Sequence, residues 1–263
     1  MSILTMGIDV GSTASKCVIL KDGSEIVSKS LVAVGTGTSG PSRAIAQVLE
    51  NAGMTREQMD FVLATGYGRN SLDGLADMQM SELSCHAKGA AFLFPNVRTV
   101  VDIGGQDVKV IEIENGMMKN FVMNDKCAAG TGRFFEAMAR SFELSLPEFS
   151  KLSLTAKNVI PITAQCTVFA ESEVITLVGE GKPTDEIAAG IEMAVAKRCF
   201  VMAKKAGATD SITLTGGCAK NAGLKQAIEH VLKFKVVDLK TDPQLMGALG
   251  AAEYARQKGL AKK

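Results

Sequence analysis

The chain has 263 residues, of which 46% are hydrophobic and 22% are charged, as in an ordinary globular protein. Its formal net charge is +1, and its Lys and Arg residues are scattered along the sequence, which argues against a nucleic-acid partner. No apolar run approaches the ~20 residues that span a bilayer. The N-terminus lacks the basic and apolar parts of a signal peptide. We therefore expect a cytoplasmic protein with no membrane partner.

The first predicted elements are two strands joined by a short polar loop. An apolar strand ends near Asp9, the segment Gly11-Ser12-Thr13-Ala14-Ser15-Lys16 follows, and a second apolar strand begins at Cys17. A tight turn here would aim backbone N–H groups and hydroxyls at phosphate oxygens. Asp9 would hold Mg²⁺ through water, because Mg²⁺ dehydrates reluctantly. Lys16 would reach a phosphate and join the cofactor-binding residues. A plain strand-turn-strand unit is the alternative, and in that case Lys16 simply flanks the second strand.

The same pattern recurs in the middle of the chain, as Asp102-Ile103-Gly104-Gly105-Gln106-Asp107-Val108-Lys109. Asp, Gly and Lys keep their relative positions, and each copy leads into a hairpin that turns at Asp22-Gly23 or Asn115-Gly116. Such a repeat predicts two similar α/β domains that face each other across a cleft. We predict a first domain over 1–97, completed by a C-terminal helix at 247–263, and a second over 98–246.

Two phosphate loops are stronger evidence for a nucleotide than one. They would clamp a triphosphate, with Gly104 and Gly105 close to the phosphates. In this interpretation Asp102, Gln106 and Asp107 orient the metal ion and water, so that they join Asp9 as candidate catalytic residues.

Strands and helices alternate along the rest of the chain, which favours α/β layers. Apolar periodicity predicts helices over 42–52, 187–206 and 224–232, and Pro41 and Pro183 lie near two of their starts. Short apolar runs predict strands over 61–65, 99–103, 212–215 and 235–237.

Two later segments are candidates for contact with a nucleoside. Gly216 and Gly217 follow an apolar strand, and their lack of side chains would let the backbone approach adenosine closely. The Gly- and Ala-rich stretch 243–252 includes Gln244 and would pack beside the nucleotide. Helix packing alone explains this last stretch equally well.

The chain has six cysteines and no CxxC motif. Cys127 and Cys166 each precede a predicted helix, whose dipole would favour a thiolate. Two thiolates are half of what a four-thiolate iron–sulfur cluster needs, and a two-fold dimer would supply the other half. We expect Cys17 and Cys199 in the core, and Cys218 in a packing role.

These motifs resemble those of the actin-like ATPases, and more narrowly those of the activators (component A) of (R)-2-hydroxyacyl-CoA dehydratases, which are relatives of the ATPase subunits of benzoyl-CoA reductase. The resemblance covers nearly the whole chain. It is carried by the segments 7–16, 64–69, 81–87, 102–109, 124–133, 166–173 and 215–217.

The resemblance implies an α/β fold of two actin-like (ribonuclease H-like) domains flanking a nucleotide cleft. It also implies a homodimer that binds ATP or ADP with Mg²⁺ in each subunit and shares one 4Fe–4S cluster through Cys127 and Cys166. Ferredoxin or flavodoxin would be the electron donor, and the dehydratase (component D) would be the acceptor. The alternatives are a small-molecule or sugar kinase of the same superfamily, which needs a general base near its acceptor hydroxyl, and an ATP-switched chaperone or regulator.

Overall fold

The computed structural model describes residues 2–72, 74–163 and 166–261. The chain divides into unit 1, which comprises Met1–Val97, Ile113–Lys119 and Leu239–Lys263, and unit 2, which comprises Arg98–Glu112 and Asn120–Asp238. This division differs from the predicted domain boundaries at 113–119 and 239–246, which it groups with unit 1. The last two residues of the predicted C-terminal helix, 262 and 263, lie outside the described residues.

Strands and helices alternate as the sequence predicts. The strands are β1 (Leu4–Val10), β2 (Ser15–Lys21), β3 (Glu25–Val32), β4 (Phe61–Thr65), β5 (Met78–Gln79), β6 (Thr99–Ile103), β7 (Val108–Glu114), β8 (Met117–Asn124), β9 (Ile212–Thr215) and β10 (Val236–Val237). The helices are α1 (Gly40–Ala52), α2 (Glu82–Leu93), α3 (Gly132–Ser141), α4 (Leu146–Ser153), α5 (Thr167–Gly179), α6 (Thr184–Ala206), α7 (Ala222–Leu232) and α8 (Met246–Leu260).

Each unit contains a five-stranded mixed sheet, and the two sheets share one topology. The strand order is β3-β2-β1-β4-β5 in one sheet and, taken in the same sense, β8-β7-β6-β9-β10 in the other. β1 pairs antiparallel with β2 and parallel with β4. In the same way, β6 pairs antiparallel with β7 and parallel with β9. The repeat seen in the sequence is therefore a repeat of topology.

The two hairpin turns confirm the turn prediction and explain its residues. Asp22 and Gly23 have φ of 53° and 70°, and Asn115 and Gly116 have φ of 54° and 71°. Positive φ at both central positions is the geometry of a type I′ turn, whose twist matches that of the flanking strands. Asn, Asp and Gly tolerate this region better than other residues do.

Helix boundaries follow from local residues. α1 begins at Gly40, earlier than predicted, because Pro41 fits the first turn, where its missing N–H is not needed. The sequence analysis did not predict α4, although Ser145 and Glu148 form a capping box at its start. That box is a recognisable helix-start signal.

The core of unit 2 holds the helices that follow the second loop and the cysteine segments. Phe134 and Phe135 of α3 are buried, and the ring of Phe135 meets that of Phe149 in α4 edge-on, with centroids 6.3 Å apart. Val174 on the inner side of α5 belongs to the same hydrophobic cluster. These contacts fix α3 and α5 on the unit.

The structure contains no helix, within 2–72, 74–163 and 166–261, that has both the length and the apolar character to cross a membrane.

Candidate functional site

The loop after β1 is built around Asp9, which is 1% exposed. Lys16 lies opposite Asp9 in the β1–β2 register, and its Nζ is 3.1 Å from Asp9 Oδ2. Within the part of the chain that the structure describes, Asp9 Oδ1 is buried and has no hydrogen-bond partner. A buried carboxylate oxygen normally has a donor or a cation. Asp9 therefore presents an open acceptor of the kind that a hydrated Mg²⁺ ion would use.

The predicted phosphate loop is a closed turn. The Gly11 N–H donates to Ala14 O at 3.0 Å, and the Thr36 N–H donates to Gly11 O at 2.9 Å. Ser12 and Thr13 are partly exposed, whereas Ala14 and Ser15 are buried. The Ser15 hydroxyl donates to Val34 O, so it stabilises the fold of the loop. Ser12 and Thr13 are the hydroxyl-bearing residues of this turn that reach solvent.

Two glycines let the backbone of unit 1 close around Asp9. A Cβ on Gly66, whose φ is +91°, would lie 2.5 Å from Asp9 Oδ1, and a Cβ on Gly247 would lie 2.7 Å from Oδ2. Gly247 is in the first turn of α8, so this helix begins directly beside the carboxylate. Gln244 precedes α8 in a 3-10 turn, where its N–H donates to Asp242 Oδ1.

Unit 2 repeats the same arrangement around Asp102, which is 2% exposed. Lys109 is its register partner on β7, and the Lys109 Nζ lies 3.3 Å from Asp102 Oδ2 and 2.8 Å from Asp107 Oδ2. The hydroxyl of Thr215 donates to Asp102 Oδ1 at 2.6 Å. Both oxygens of Asp102 thus accept hydrogen bonds, whereas Asp9 has an open oxygen.

The turn of the second loop makes the same two backbone hydrogen bonds as the first. The Gly104 N–H donates to Asp107 O at 2.9 Å, and Gly104 O accepts from the Gly132 N–H at 2.8 Å. The Arg133 N–H donates to Gly105 O at 2.9 Å, so the loop is held against the start of α3. Gln106 at the tip is exposed. The structure therefore brings Asp102, Gln106 and Asp107 into one turn, as the sequence predicts.

The predicted adenosine segment follows β9. Gly216 is buried with φ of +81°, and a Cβ there would lie 2.3 Å from Ile103 O. Only glycine fits this position without displacing backbone. Gly217 is exposed at the start of a 3-10 turn.

The cysteines separate into two groups by burial. Cys17, Cys85 and Cys199 are buried, and Cys218 is partly buried. Burial raises the pKa of the Cys85, Cys199 and Cys218 thiols to about 12 and the pKa of Cys17 further still. These thiols stay protonated and suit packing. Cys127 and Cys166 are the exposed cysteines of the chain.

Local contacts hold Cys166 at a helix start. Cys166 is the N-cap of α5, and Cys166 O accepts from the Ala170 N–H at 2.9 Å. Glu173 on the next turn of α5 accepts from the backbone N–H of Thr163 at 3.0 Å and from its hydroxyl at 2.9 Å. Thr163 is thereby tied to α5. The predicted helix-start position is confirmed for this thiol.

Cys127 also precedes a helix, as predicted, but it lies farther from the helix start than Cys166 does. The N-cap of α3 is Thr131, whose N–H and hydroxyl both bond Ala128 O, at 3.0 and 2.6 Å. Cys127 precedes this turn in an exposed loop, where Asn124 Nδ2 donates to Cys127 O at 3.1 Å. Cys127 thus lies four residues before the N-cap of α3, outside the first turn, where dipole effects are strongest.

Sequence reasoning gave no individual role to three buried residues: Thr65 and Thr215, which lie in the motif segments 64–69 and 215–217, and Glu192. The first two have a signal in the sequence, because Thr65-Gly66 and Thr215-Gly216 end the parallel strands next to Asp9 and Asp102. Glu192 has none, since it lies in the middle of α6. It is 2% exposed, and a Cβ on Gly223 in the first turn of α7 would lie 2.0 Å from its Oε2.

The burial of Glu192 should make the free energy of unfolding depend on pH. Burial raises the pKa of this carboxyl from 4.5 to about 7, although hydrogen bonds from Ser153 and Asn221 oppose the rise. The folded state therefore binds the proton more tightly than the unfolded state does. Ionisation of Glu192 therefore lowers the free energy of unfolding. This loss grows as pH rises from 4.5 to 7 and is complete above 7. We expect Glu192→Gln to raise the free energy of unfolding by on the order of 3 kcal/mol at pH 8 and by little at pH 4.5.

Urea titrations at the two pH values measure this difference. The exposed Glu180 offers a control, since Glu180→Gln removes a carboxylate that is not buried. An equal effect of Glu192→Gln at both pH values would contradict the raised pKa of Glu192.

Known proteins are similar to this chain over nearly its whole length. The (R)-2-hydroxyglutaryl-CoA dehydratase activating ATPase of Acidaminococcus fermentans is 59% identical over 260 residues, 98% of this chain and 99% of that protein. The activator of lactoyl-CoA dehydratase of Anaerotignum propionicum is 50% identical over 252 residues, 95% of this chain and 96% of that protein.

Two solved structures are also similar to this chain over nearly its whole length. The structure of component A of the Acidaminococcus fermentans dehydratase superposes with a TM-score of 0.93 at 57% identity and covers 98% of this chain and 99% of that chain. The activator of 2-hydroxyisocaproyl-CoA dehydratase from Clostridium difficile, solved with bound ADPNP, also gives 0.93, at 45% identity over 99% of this chain and 97% of that chain.

A glucokinase of the ROK family from Streptomyces griseus matches at a TM-score of 0.60 and 14% identity over 97% of this chain and 99% of that chain, which shows a shared fold alone. The α/β actin-like fold predicted from the sequence is thus confirmed. The model of the BadF/BadG/BcrA/BcrD ATPase family matches residues 6–255, and the chain therefore belongs to that family.

Proposed function

We propose that this chain is an ATP-dependent activator of a 2-hydroxyacyl-CoA dehydratase, to which it delivers one electron at the expense of ATP hydrolysis. The observation that carries the proposal is the pairing of two Asp–Lys phosphate loops with two exposed cysteines, in a chain 59% identical to such an activator. The kinase alternative is not favoured, because the glucokinase shares only the fold at 14% identity.

ATP is proposed to bind through the two loops. Ser12 and Thr13 have exposed atoms at the first turn, and Gly104 and Gly105 form the second. Lys16 and Lys109 hold Asp9 and Asp102 in place by ion pairs. Ala14 and Ser15 support the first turn from inside, and Gly216, Gly217 and Gln244 are proposed for the nucleoside.

Asp9 is the residue that would hold Mg²⁺. Its buried Oδ1 has no hydrogen-bond partner among the residues described, and a carboxylate oxygen is a ligand that Mg²⁺ or its bound water accepts. The ion would neutralise phosphate charge during hydrolysis. In unit 2, Asp102 and Asp107 both pair with Lys109 in the turn that carries Gln106, and they are proposed to orient the attacking water.

The donor set of unit 2 also fits an iron–sulfur cluster. Cys127 and Cys166 are exposed thiols, and the other cysteines have raised pKa values through burial. Two thiols per chain complete a four-thiolate set only when two chains combine. A 4Fe–4S cluster bound there would supply a one-electron couple. Ferredoxin or flavodoxin is the proposed donor.

The surface of α5 supports the proposed homodimer. Val168, Phe169 and Ile175 on this helix are 65%, 69% and 59% exposed, and Cys166 caps its first turn. Val168 and Ile175 are seven residues apart and so share one face of the helix, and Phe169 projects from the adjoining face. Large apolar side chains exposed on one helix mark association sites. A second copy would cover them from an identical surface.

ATP hydrolysis has a physical task in this scheme. Lowering a one-electron reduction potential by ~300 mV costs about 7 kcal/mol, a cost that side-chain rearrangement without a fuel would not meet. ATP hydrolysis can supply this free energy.

Anaerobic purification tests the proposal. We expect a brown protein with the mass of two chains and about two iron atoms per chain, as one 4Fe–4S cluster per dimer requires. Visible absorption, iron and sulfide assays and light scattering measure these quantities. A colourless monomer that phosphorylates a sugar would contradict the proposal.

A further inference from the structure

We propose that Thr215 is a positioning residue for ATP hydrolysis and acts through Asp102. The inference rests on the proposed function, in which Asp102 orients water at the second loop. Thr215 is fully buried, so its hydroxyl is not available to nucleotide from solvent. Its role must be exerted through the groups that it contacts.

The contact is specific. Thr215 is the register partner of Asp102 across the parallel pair of β9 and β6, and its Oγ1 lies 2.6 Å from Asp102 Oδ1. The other oxygen, Oδ2, faces Lys109 Nζ at 3.3 Å. An ionised carboxylate that accepts from a hydroxyl on one oxygen and an ammonium on the other cannot rotate about χ2 without losing both. Thr215 and Lys109 together fix the plane of the carboxylate.

The backbone beside Thr215 is equally constrained. Gly216 has φ of +81°, and a Cβ there would lie 3.0 Å from Asp102 Oδ1 as well as 2.3 Å from Ile103 O. A side chain at position 216 would therefore clash with the backbone of Ile103 and crowd the carboxylate, so this strand end requires glycine. The Thr215–Asp102 hydrogen bond lies beside this close approach.

The other repeat shows that this bond is not a by-product of topology. Thr65 is the register partner of Asp9 in the same way, yet its hydroxyl donates to Met80 O at 3.0 Å. Asp9 Oδ1, the atom equivalent to the acceptor of Thr215, has no hydrogen-bond partner within the described part of the chain. One sheet keeps an open acceptor, and the other holds its carboxylate at both oxygens. The two aspartates thus have different tasks.

Three variants isolate the hydroxyl. Thr215→Val keeps the shape of the side chain and removes the donor, and Thr215→Ser keeps the donor and removes a methyl group. Thr213 provides a matched control, because it lies on the same strand, is also fully buried, and donates to Val237 O at 2.8 Å rather than to Asp102. Thr213→Val therefore removes a buried hydroxyl of the same kind without touching the carboxylate.

We expect Thr215→Val to lower kcat for ATP hydrolysis by ~10-fold to ~100-fold, the range of a lost hydrogen bond to a charged group. Nucleotide affinity should stay within about twofold, since the hydroxyl does not meet the nucleotide. Thr215→Ser should recover most of the lost kcat, and Thr213→Val should keep the kcat of the unaltered protein. Steady-state hydrolysis and nucleotide titration by calorimetry measure kcat and affinity separately.

A Thr215→Val protein with unchanged kcat would overturn the proposal, as would equal losses in Thr215→Ser and Thr215→Val. A loss in Thr213→Val as large as that in Thr215→Val would also overturn it, because it would show a purely structural effect. These assays read ATP hydrolysis alone. Failure of the electron-transfer function would appear instead as the absence of iron from the unaltered protein.

Discussion

Replacement of either exposed cysteine should remove the proposed iron–sulfur cluster and leave the ATPase fold intact. We expect Cys127→Ala and Cys166→Ala to reduce iron from about two atoms per chain to almost none, because each variant deprives a shared four-thiolate site of two ligands at once. Both side chains are exposed, so neither change opens a cavity in the core. ATP binding should persist, since the phosphate loops contain neither residue.

The matched control is Cys218→Ala. The pKa of the Cys218 thiol is raised to about 12, chiefly by burial, so it stays protonated and does not bind iron as a thiolate. This variant should keep its full iron content and colour. Iron and sulfide assays under anaerobic conditions, together with nucleotide titration, give the required comparison. Retention of iron in Cys127→Ala or Cys166→Ala would refute the ligand assignment.

Local sequence signals predicted most of the fold. Apolar runs and the turns at Asp22-Gly23 and Asn115-Gly116 indicated the hairpins, since these signals act between neighbouring residues. The repeat of Asp, Gly and Lys indicated the two sheets. Helix starts were less exact. The turn before Thr131 separates Cys127 from α3, and nothing in the spacing of Cys127 from the next apolar residues reveals that turn.

The contacts that organise the loops depend on register, which the sequence does not state. Thr215 meets Asp102 across 113 residues because β9 pairs in parallel with β6 at one particular offset. A shift of one residue would turn Thr215 to the other face of the sheet. The burial of Glu192 likewise arises where Gly223 of α7 approaches α6. Such features follow from the tertiary arrangement and were not recoverable from pattern alone.

The second large expected effect is a loss of stability in Gly7→Ala, caused by the packing of β1 against α8. Gly7 lies in the middle of β1, and a Cβ there would be 1.9 Å from Ala248 O and 2.4 Å from Ala252 N of α8. Real Cβ atoms do not approach backbone this closely, so α8 must move or the strand must distort. We expect a cost of about 3 kcal/mol or more, the upper part of the range for overpacked cores.

For a chain of this length, that cost corresponds to a fall in Tm of at least ~6 °C. Thermal unfolding followed by circular dichroism measures it. Gly179→Ala is the control, because Gly179 lies in α5 with open space around its Cβ position. There alanine should be neutral or slightly stabilising, since glycine is the poorer helix former by ~1 kcal/mol.

Gly7→Ala should also weaken nucleotide binding at the proposed site around Asp9. Gly247, in the first turn of α8, lies so close to Asp9 that its Cβ position is 2.7 Å from Oδ2. If the methyl group added at position 7 displaces α8, the helix withdraws from the carboxylate that is proposed to hold Mg²⁺. We expect Mg²⁺-dependent ATP binding to weaken in Gly7→Ala even at temperatures where the protein remains folded. A variant with reduced Tm and unchanged Mg²⁺ dependence would show instead that Asp9 keeps its position without α8.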